Sequence, residues 1–218
     1  MKASETYSAK PAPYFSGIRR SFVDDLPTNL SARLLEIGCG EGGTGAYALA
    51  TGKCGWCCGV ELCEGPAAQA KTRLNTVING DIEKLELPLP PASVDVLLLS
   101  EVLEHLADPW CVLRKLRPLM KSGGLVRAGS PNVSHYRIIW MLLRGQWHYH
   151  ESGIMDATHL RWFTPRSYAM MFDSCGFCVD SISPARPLGF RGRFVNALTL
   201  GRLQHLLHPQ IYLRAHCP

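Results

Sequence analysis

Acids and glycines spaced for ligand binding stand early in the chain. Gly38, Gly40, Gly42 and Gly43 follow Leu34-Leu35-Glu36-Ile37 and precede an alanine-rich stretch over 44–50. Glycines in such a turn let the backbone approach a ligand closely, and a helix start beyond them offers unpaired N–H groups. Gly38-x-Gly40-x-x-Gly43 also satisfies a dinucleotide fingerprint, with Glu61 near the spacing of its ribose-binding acid. The stretch alone leaves the ligand open. Further along, His105, His135, His150 and His159 are groups able to take a proton near neutral pH, with Glu151 or Asp156 able to orient an imidazole.

A strand, a turn and a helix must hold such a loop, and the surrounding pattern supplies them. Strands are expected at 33–37, 55–62, 76–78 and 94–99, the last a near-continuous apolar run suited to burial on both faces. Helices are expected at 44–50, at 66–74 with Pro66 in the first turn, and at 109–120. Lys121-Ser122-Gly123-Gly124 is expected to cap the third helix ahead of a fifth strand at 125–128. Pro88, Pro90 and Pro91 make 84–93 a loop. This alternation predicts an α/β fold with a parallel, doubly wound sheet.

Before that core, 1–16 reads as an arm containing Pro11 and Pro13. The spacing of Phe15, Ile18, Phe22, Val23 and Leu26 predicts a short amphipathic helix over 15–26. After Pro131 the pattern changes. A helix over 133–143 leads into a lid over 144–163, rich in His, Trp and Tyr. Thr164 as N-cap and Pro165 at the first helical position start another helix. A sixth strand at 177–182, a basic amphipathic helix over 194–207 and a last strand at 211–215 follow. The expected organisation is an arm and helix over 1–29, then one domain over 30–218 with its lid at about 131–164.

The 218 residues suit one domain with a full core, and 46% hydrophobic with 19% charged residues exclude a disordered chain. No apolar run reaches the roughly 18 residues of a membrane span, and no apolar leader is visible, so a cytoplasmic protein is expected. Nine cysteines include the pairs Cys54–Cys57 and Cys175–Cys178, too far apart for a zinc ribbon; buried thiols are expected, and no ligand cluster argues for a metal. The net charge of +5 is localised. Residues 181–218 hold Arg186, Arg191, Arg193, Arg202 and Arg214 and no acid, while 1–180 balance to zero. That tail suits an anionic partner, a phosphate-bearing substrate or a lipid head group.

Taken in order, four segments resemble the class I methyltransferases that use S-adenosylmethionine. Glu36-x-Gly38-x-Gly40-x-Gly42 is similar to their first motif, Val60-Glu61 to the acid ending their second strand, and Gly80-Asp81 to the acid after the third. Ser100-Glu101-Val102-Leu103-Glu104-His105-Leu106 with Lys121-Ser122-Gly123-Gly124 is similar to the fourth and fifth segments. The four together favour this family over a dehydrogenase. Ser130-Pro131-Asn132-Val133-Ser134-His135-Tyr136-Arg137, Leu142–Trp147 and Gly153–Thr164 resemble a bacterial group of the methyltransferase 11/23 type linked with glycan and cell-surface polysaccharide synthesis. The same half resembles, more loosely, MetW of methionine biosynthesis, which acts through a partner enzyme. Arg127 departs from the family pattern, which has a small or apolar residue in that strand.

The resemblance implies a Rossmann-like doubly wound sheet, mostly parallel with an antiparallel C-terminal strand, plus an inserted helical and aromatic lid. It implies S-adenosylmethionine as cofactor and S-adenosylhomocysteine as product. The cofactor-binding set would be Glu36, Gly38, Cys39, Gly40, Gly42, Glu61, Leu62, Asp81, Ile82, Ser100 and Glu101. Glu61 would accept two ribose hydroxyls and Asp81 the exocyclic amine of adenine. The reaction would be in-line methyl transfer to a sugar, glycan or other polar hydroxyl, accelerated by positioning and by a histidine that removes a proton. His159, in the lid, is the preferred base and His105 the second candidate. Asn132, His135, Tyr136, Asp156, Arg161 and Trp162 would meet the acceptor. The alternatives are a cofactor-binding accessory protein and N- or carboxyl-methylation of a small metabolite. The partner is expected to be a small-molecule, glycan or lipid-linked acceptor and not nucleic acid. Membrane contact, if any, is expected to be peripheral, through the basic C-terminal helix.

Overall fold

The computed structural model describes residues 14–184 and 188–218. Seven strands form one sheet in the order β3-β2-β1-β4-β5-β7-β6. The strands are β1 (Arg33–Ile37), β2 (Trp56–Glu61), β3 (Thr76–Asn79), β4 (Val94–Ser100), β5 (Met120–Pro131), β6 (Cys178–Pro184) and β7 (Gln210–His216). β1 to β5 pair in parallel, and β7 runs antiparallel to both β5 and β6. The chain therefore has the expected Rossmann-like mixed sheet. β7 enters last yet lies inside, between β5 and β6.

Period-two alternation assigns each strand's side chains to two packed layers. Leu35, Ile37, Leu97 and Leu99 face one layer with Leu113, Leu116, Tyr168 and Phe172. These last come from α3 (Pro109–Leu116) and α5 (Pro165–Ser174). Leu34, Val96 and Leu98 face the other layer with Ala48 and Ala70, from α1 (Gly43–Ala50) and α2 (Glu64–Ala70). Cys57 belongs to one layer and Cys58 to the other, as neighbours on a strand must. All nine cysteines are thiols; burial pushes Cys54, Cys58 and Cys63 up to about 11, which keeps them protonated.

The structure departs from the expected elements in several places. Residues 15–26 contain a single 3-10 turn, Arg20–Phe22, in place of a helix. Phe22, Val23 and Leu26 are buried, but the carbonyl of Phe15 accepts the N–H of Glu41, and this tie to the glycine turn replaces helical bonding. The arm before Tyr14 lies outside the described residues. Lys121–Gly124 do not cap a helix but belong to β5, whose register against β4 jumps from Val94↔Met120 to Val96↔Leu125. There Gly123, at φ 76°, turns the extra residues out of the ladder. The second helix ends at Ala70 rather than 74. The basic C-terminal helix is α6 (Phe190–Leu198), stopped by Leu200 and Gly201 at positive φ, with a separate 3-10 turn at Gln204–Leu206.

Arg127 has a physical explanation. It is 6% exposed, and its Nε donates to Asp25 Oδ1 at 3.2 Å. Its antiparallel partner Arg214 donates to Asp25 Oδ2 at 2.5 Å, and Tyr212 OH to Oδ1 at 3.3 Å. One carboxylate from the N-terminal segment thus bridges two arginines on β5 and β7 and fastens that segment to the sheet.

Candidate functional site

The order of the strands reverses between β1 and β4, and ligands of open α/β sheets sit outside the carboxyl ends of the strands at such a point. A cavity of about 620 Å³ opens there, walled by Ile37, Glu61, Ser100 and Pro131, the last residues of β1, β2, β4 and β5. That volume is within the range of small-molecule and cofactor pockets.

The glycine turn forms its floor. Gly38 and Gly40 have φ 70° and 54°, and a Cβ would meet Val102 Cγ2 at 2.4 Å on the first and the Phe15 carbonyl at 2.5 Å on the second. Neither position admits a side chain. Gly42 does not reach the cavity. Its φ is 79°, and a Cβ there would lie 3.1 Å from Ala70 Cα, so it is a packing residue between α1 and α2.

Glu61 is 6% exposed; Oε2 accepts the Gly40 N–H at 2.8 Å and Oε1 the Cys63 N–H at 2.9 Å. Burial raises its pKa and these bonds pull it back. Each oxygen keeps a second acceptor site. Glu36 is buried behind the turn, and its Oε2 accepts the Gly45 N–H at 3.0 Å. Burial pushes it up to about 8. Cys39, Leu62, Ile82 and Ser100 line the cavity as expected. Asp81 lines it too, but it is occupied locally, by the Glu83 N–H at 3.0 Å and Lys84 Nζ at 2.7 Å. Glu101, at φ 55°, carries the strain of a non-glycine in the left-handed region. Its carboxylate receives Arg19 from the N-terminal segment and Gln210 from β7.

Both candidate bases line the cavity. His105 and His159 meet edge to face, ring centroids 4.6 Å apart. His159 Nδ1 lies 3.0 Å from the Ile154 carbonyl, which fixes the proton on Nδ1 and makes Nε2 the basic nitrogen. His105 Nδ1 lies 3.3 Å from the Thr158 carbonyl and 3.2 Å from its Oγ1, whose proton goes to Asp156 Oδ1 at 2.7 Å. The lid is fastened here because the N–H groups of Leu160 and Arg161 both donate to the Glu104 carbonyl, at 2.8 and 2.9 Å.

Of the expected acceptor contacts, only Asp156 lines the cavity. Asn132 is fully buried and clamps the C-terminal segment, donating to the carbonyls of His205 and His208 at 2.6 and 2.8 Å. Arg161 spends its guanidinium on the Ala107 carbonyl. Trp162 packs against Trp147 and Tyr149 within the lid. His135 packs against Tyr136, which is half exposed on another face.

Glu104 is the residue that sequence reading passed over. It lines the cavity at 1% exposure, and neither carboxylate oxygen has a hydrogen-bond partner among the described residues. Burial drives its pKa well above the carboxylate range. Its ligand atom lies within 4.8 Å of those of His105 and His159, so the fold assembles three donors that no sequence spacing announces. Tyr14, Phe15, Gly17 and Arg19 also wall the cavity, and no periodicity in the arm signals it. The Tyr14 hydroxyl is held well above its ordinary value by burial, then by Asp156, Glu104, Glu101 and Glu61. Among the described residues, the wall carries seven acids, one arginine (Arg19) and two histidines.

Comparison with known proteins agrees with this geometry. Residues 35–128 match the methyltransferase domain family. The chain is 33% identical over 111 residues to the 27-O-demethylrifamycin SV methyltransferase of Amycolatopsis mediterranei, covering 48% of this chain and 40% of that protein. It is 25% identical over 182 residues to the ubiquinone biosynthesis O-methyltransferase of Aeromonas salmonicida, covering 80% of this chain and 75% of that one. Among solved structures it is similar to an S-adenosylmethionine dependent methyltransferase from Mesorhizobium loti, with TM-score 0.63, 17% identity and coverage of 90% and 96%. The chain spans about two-fifths of the length of the first of these relatives.

Proposed function

We propose, for a chain with the class I methyltransferase fold, that it transfers a methyl group from S-adenosylmethionine to a hydroxyl of a polar small molecule. The observation that carries the reading is the acidic cavity at the reversal of strand order, whose walls include both Glu61 and His159. Burial holds Glu36 and Glu104 in the protonated form, and the other five acids against one arginine still suit a cationic ligand. The residues fit the cofactor. Glu61 has acceptor capacity for two vicinal hydroxyls, Leu62 and Ile82 offer apolar walls for a base, and Gly38 and Gly40 bring bare backbone to the amino-acid half. S-adenosylmethionine, when bound, supplies an electrophilic methyl group.

The chain's own residues would then handle the acceptor. His159 takes the hydroxyl proton at Nε2, with its Nδ1–H anchored on Ile154. Glu104, His105 and Asp156 face the same space and orient the acceptor by hydrogen bonds. The relative named as an O-methyltransferase supports a hydroxyl acceptor. The aromatic residues expected to meet the acceptor, Tyr136 and Trp162, are not cavity residues, so the proposal is the wider class of polar hydroxyls. Residues 14–29 are proposed as part of the same unit as 30–218, because Phe22, Val23 and Leu26 are core and Tyr14, Phe15, Gly17 and Arg19 wall the site.

The test is binding and transfer of methyl-labelled cofactor. Glu61→Ala is expected to weaken cofactor binding at least tenfold, while His159→Ala keeps binding and lowers transfer to hydroxyl acceptors about 10²- to 10⁴-fold. Tight binding with no transfer to any hydroxyl, amine or carboxylate acceptor, regained only with a second protein, would replace this reading by an accessory role.

A further inference from the structure

We infer that α4 (Tyr136–Leu143), together with the segment from α6 to the turn at Gln204–Leu206, is a docking face for an anionic lipid bilayer. α4 has eight residues and buries only Ile138. Tyr136, Ile139, Trp140, Leu142 and Leu143 are exposed, Leu143 by 74%. Tyr136, Ile139, Trp140 and Leu143 line a shallow apolar groove closed by Leu206, which joins α4 to the C-terminal segment. That segment carries Phe190, Phe194, Leu198 and Leu200 at 60–87% exposure. Exposed apolar residues in this number mark an interaction surface.

Charge selects the occupant. Residues 131–150 and 181–218 contain no Asp or Glu. Arg137, Arg144, Arg193 and Arg202 are exposed among the apolar side chains. The guanidinium of Arg144 lies 4.9 Å from the Trp140 ring centroid and that of Arg137 5.9 Å from that of Tyr136. Aromatics paired with arginine, beside protruding Phe and Leu, are the composition of an element lying in a headgroup layer, with rings at the boundary and cations among the phosphates. A second copy of this chain fits poorly, since the face would set arginine against arginine with no acid between. Phe190, Phe194 and Leu198 of α6 protrude at 60–87% exposure, as side chains that enter a headgroup layer do. The face begins close to the cavity: Pro131 and Pro209 wall the site, five residues from Tyr136 and three from Leu206.

The experiment is co-sedimentation of the full chain with vesicles of phosphatidylcholine alone and of phosphatidylcholine mixed with phosphatidylglycerol. Binding is expected to the mixed vesicles, to fall with added salt, and to drop about fivefold for each of Arg144→Gln, Arg193→Gln and Arg202→Gln. Trp140→Ser and Leu143→Ser should abolish it. Each variant is exposed, and cofactor binding by the same preparations reports that it is folded. Equal recovery with both lipids, or none with either, would overturn the proposal. So would a dimer in solution that Leu143→Ser dissociates, which would assign the face to a second copy.

Discussion

Glu36 is a carboxylate placed where it must lose or keep a proton at a cost. Its ordinary value of 4.5 rises to about 8 on folding, because burial outweighs the Gly45 N–H it accepts. The folded chain therefore binds this proton more tightly than the unfolded one. Its contribution is full below pH 4.5 and declines as pH climbs towards 8, by at most about 1.4 kcal/mol per unit. Chemical denaturation at several pH values should show this slope in the wild type and a flatter one in Glu36→Gln; parallel slopes would refute it. At this scale the sequence was informative wherever position on a strand decides which side chains reach the cavity. Glu36, Glu61 and Ser100 sit at or near strand ends, and strand ends are visible in an apolar run. Glu104 was not legible, because its importance is its burial and its nearness to His159, which lies 55 residues on in the lid. Asn132 and Arg161 misled for the converse reason: polar side chains beside a cavity were needed to hold backbone carbonyls.

Elements with their own chemical punctuation were read closely. Thr164 accepts the Ser167 N–H, Ser167 reciprocates toward the Thr164 N–H at 3.0 Å, and Pro165 follows, so α5 starts where its sequence says. Thr164→Ala should cost about 1 kcal/mol in urea unfolding; no change would mean the Tyr168 and Phe172 contacts alone fix that helix. Elements defined only by apolar spacing fared worse. The 15–26 segment and the C-terminal basic stretch both have helical periodicity, yet one is held by the glycine turn and the other is broken at Leu200-Gly201. The N-terminal segment depends instead on Asp25. Removing that carboxylate leaves Arg127 buried without its charge partner, so Asp25→Ala should destabilise by about 2–3 kcal/mol, while Arg127→Met, which removes the buried charge itself, should cost much less. Thermal melts of both variants check the ordering; equal losses would mean that packing, not charge, holds the segment.

Over the whole molecule, the alternation of strand and helix up to residue 128 was enough to give the sheet, and the position of β7 was not. A short apolar run near residue 211 says strand; that it inserts between β5 and β6 follows from tertiary pairing alone. Among the described residues no helix is long and apolar enough to cross a membrane. The uneven charge, neutral to residue 180 and basic after it, was visible in the sequence, but the face it shares with α4 arises only on folding.

The interior place of β7 bears on the order in which this molecule is built. During synthesis β1 to β5 emerge early enough to pair with one another, at rates of roughly 5–20 residues per second. β6 emerges without a neighbour, since its ladder is made entirely with β7. For that interval one edge of β5 stands open, and Gln210, one of the residues that hold Glu101 over the cavity, has not been made. A nascent chain stopped after residue 208 is expected to carry a protease-sensitive stretch over 178–184, and completion of β7 should protect it. Protection appearing before β7 would mean that β6 finds another partner first. Pro209 and Gln210 are thus the last walls of the cavity to be made.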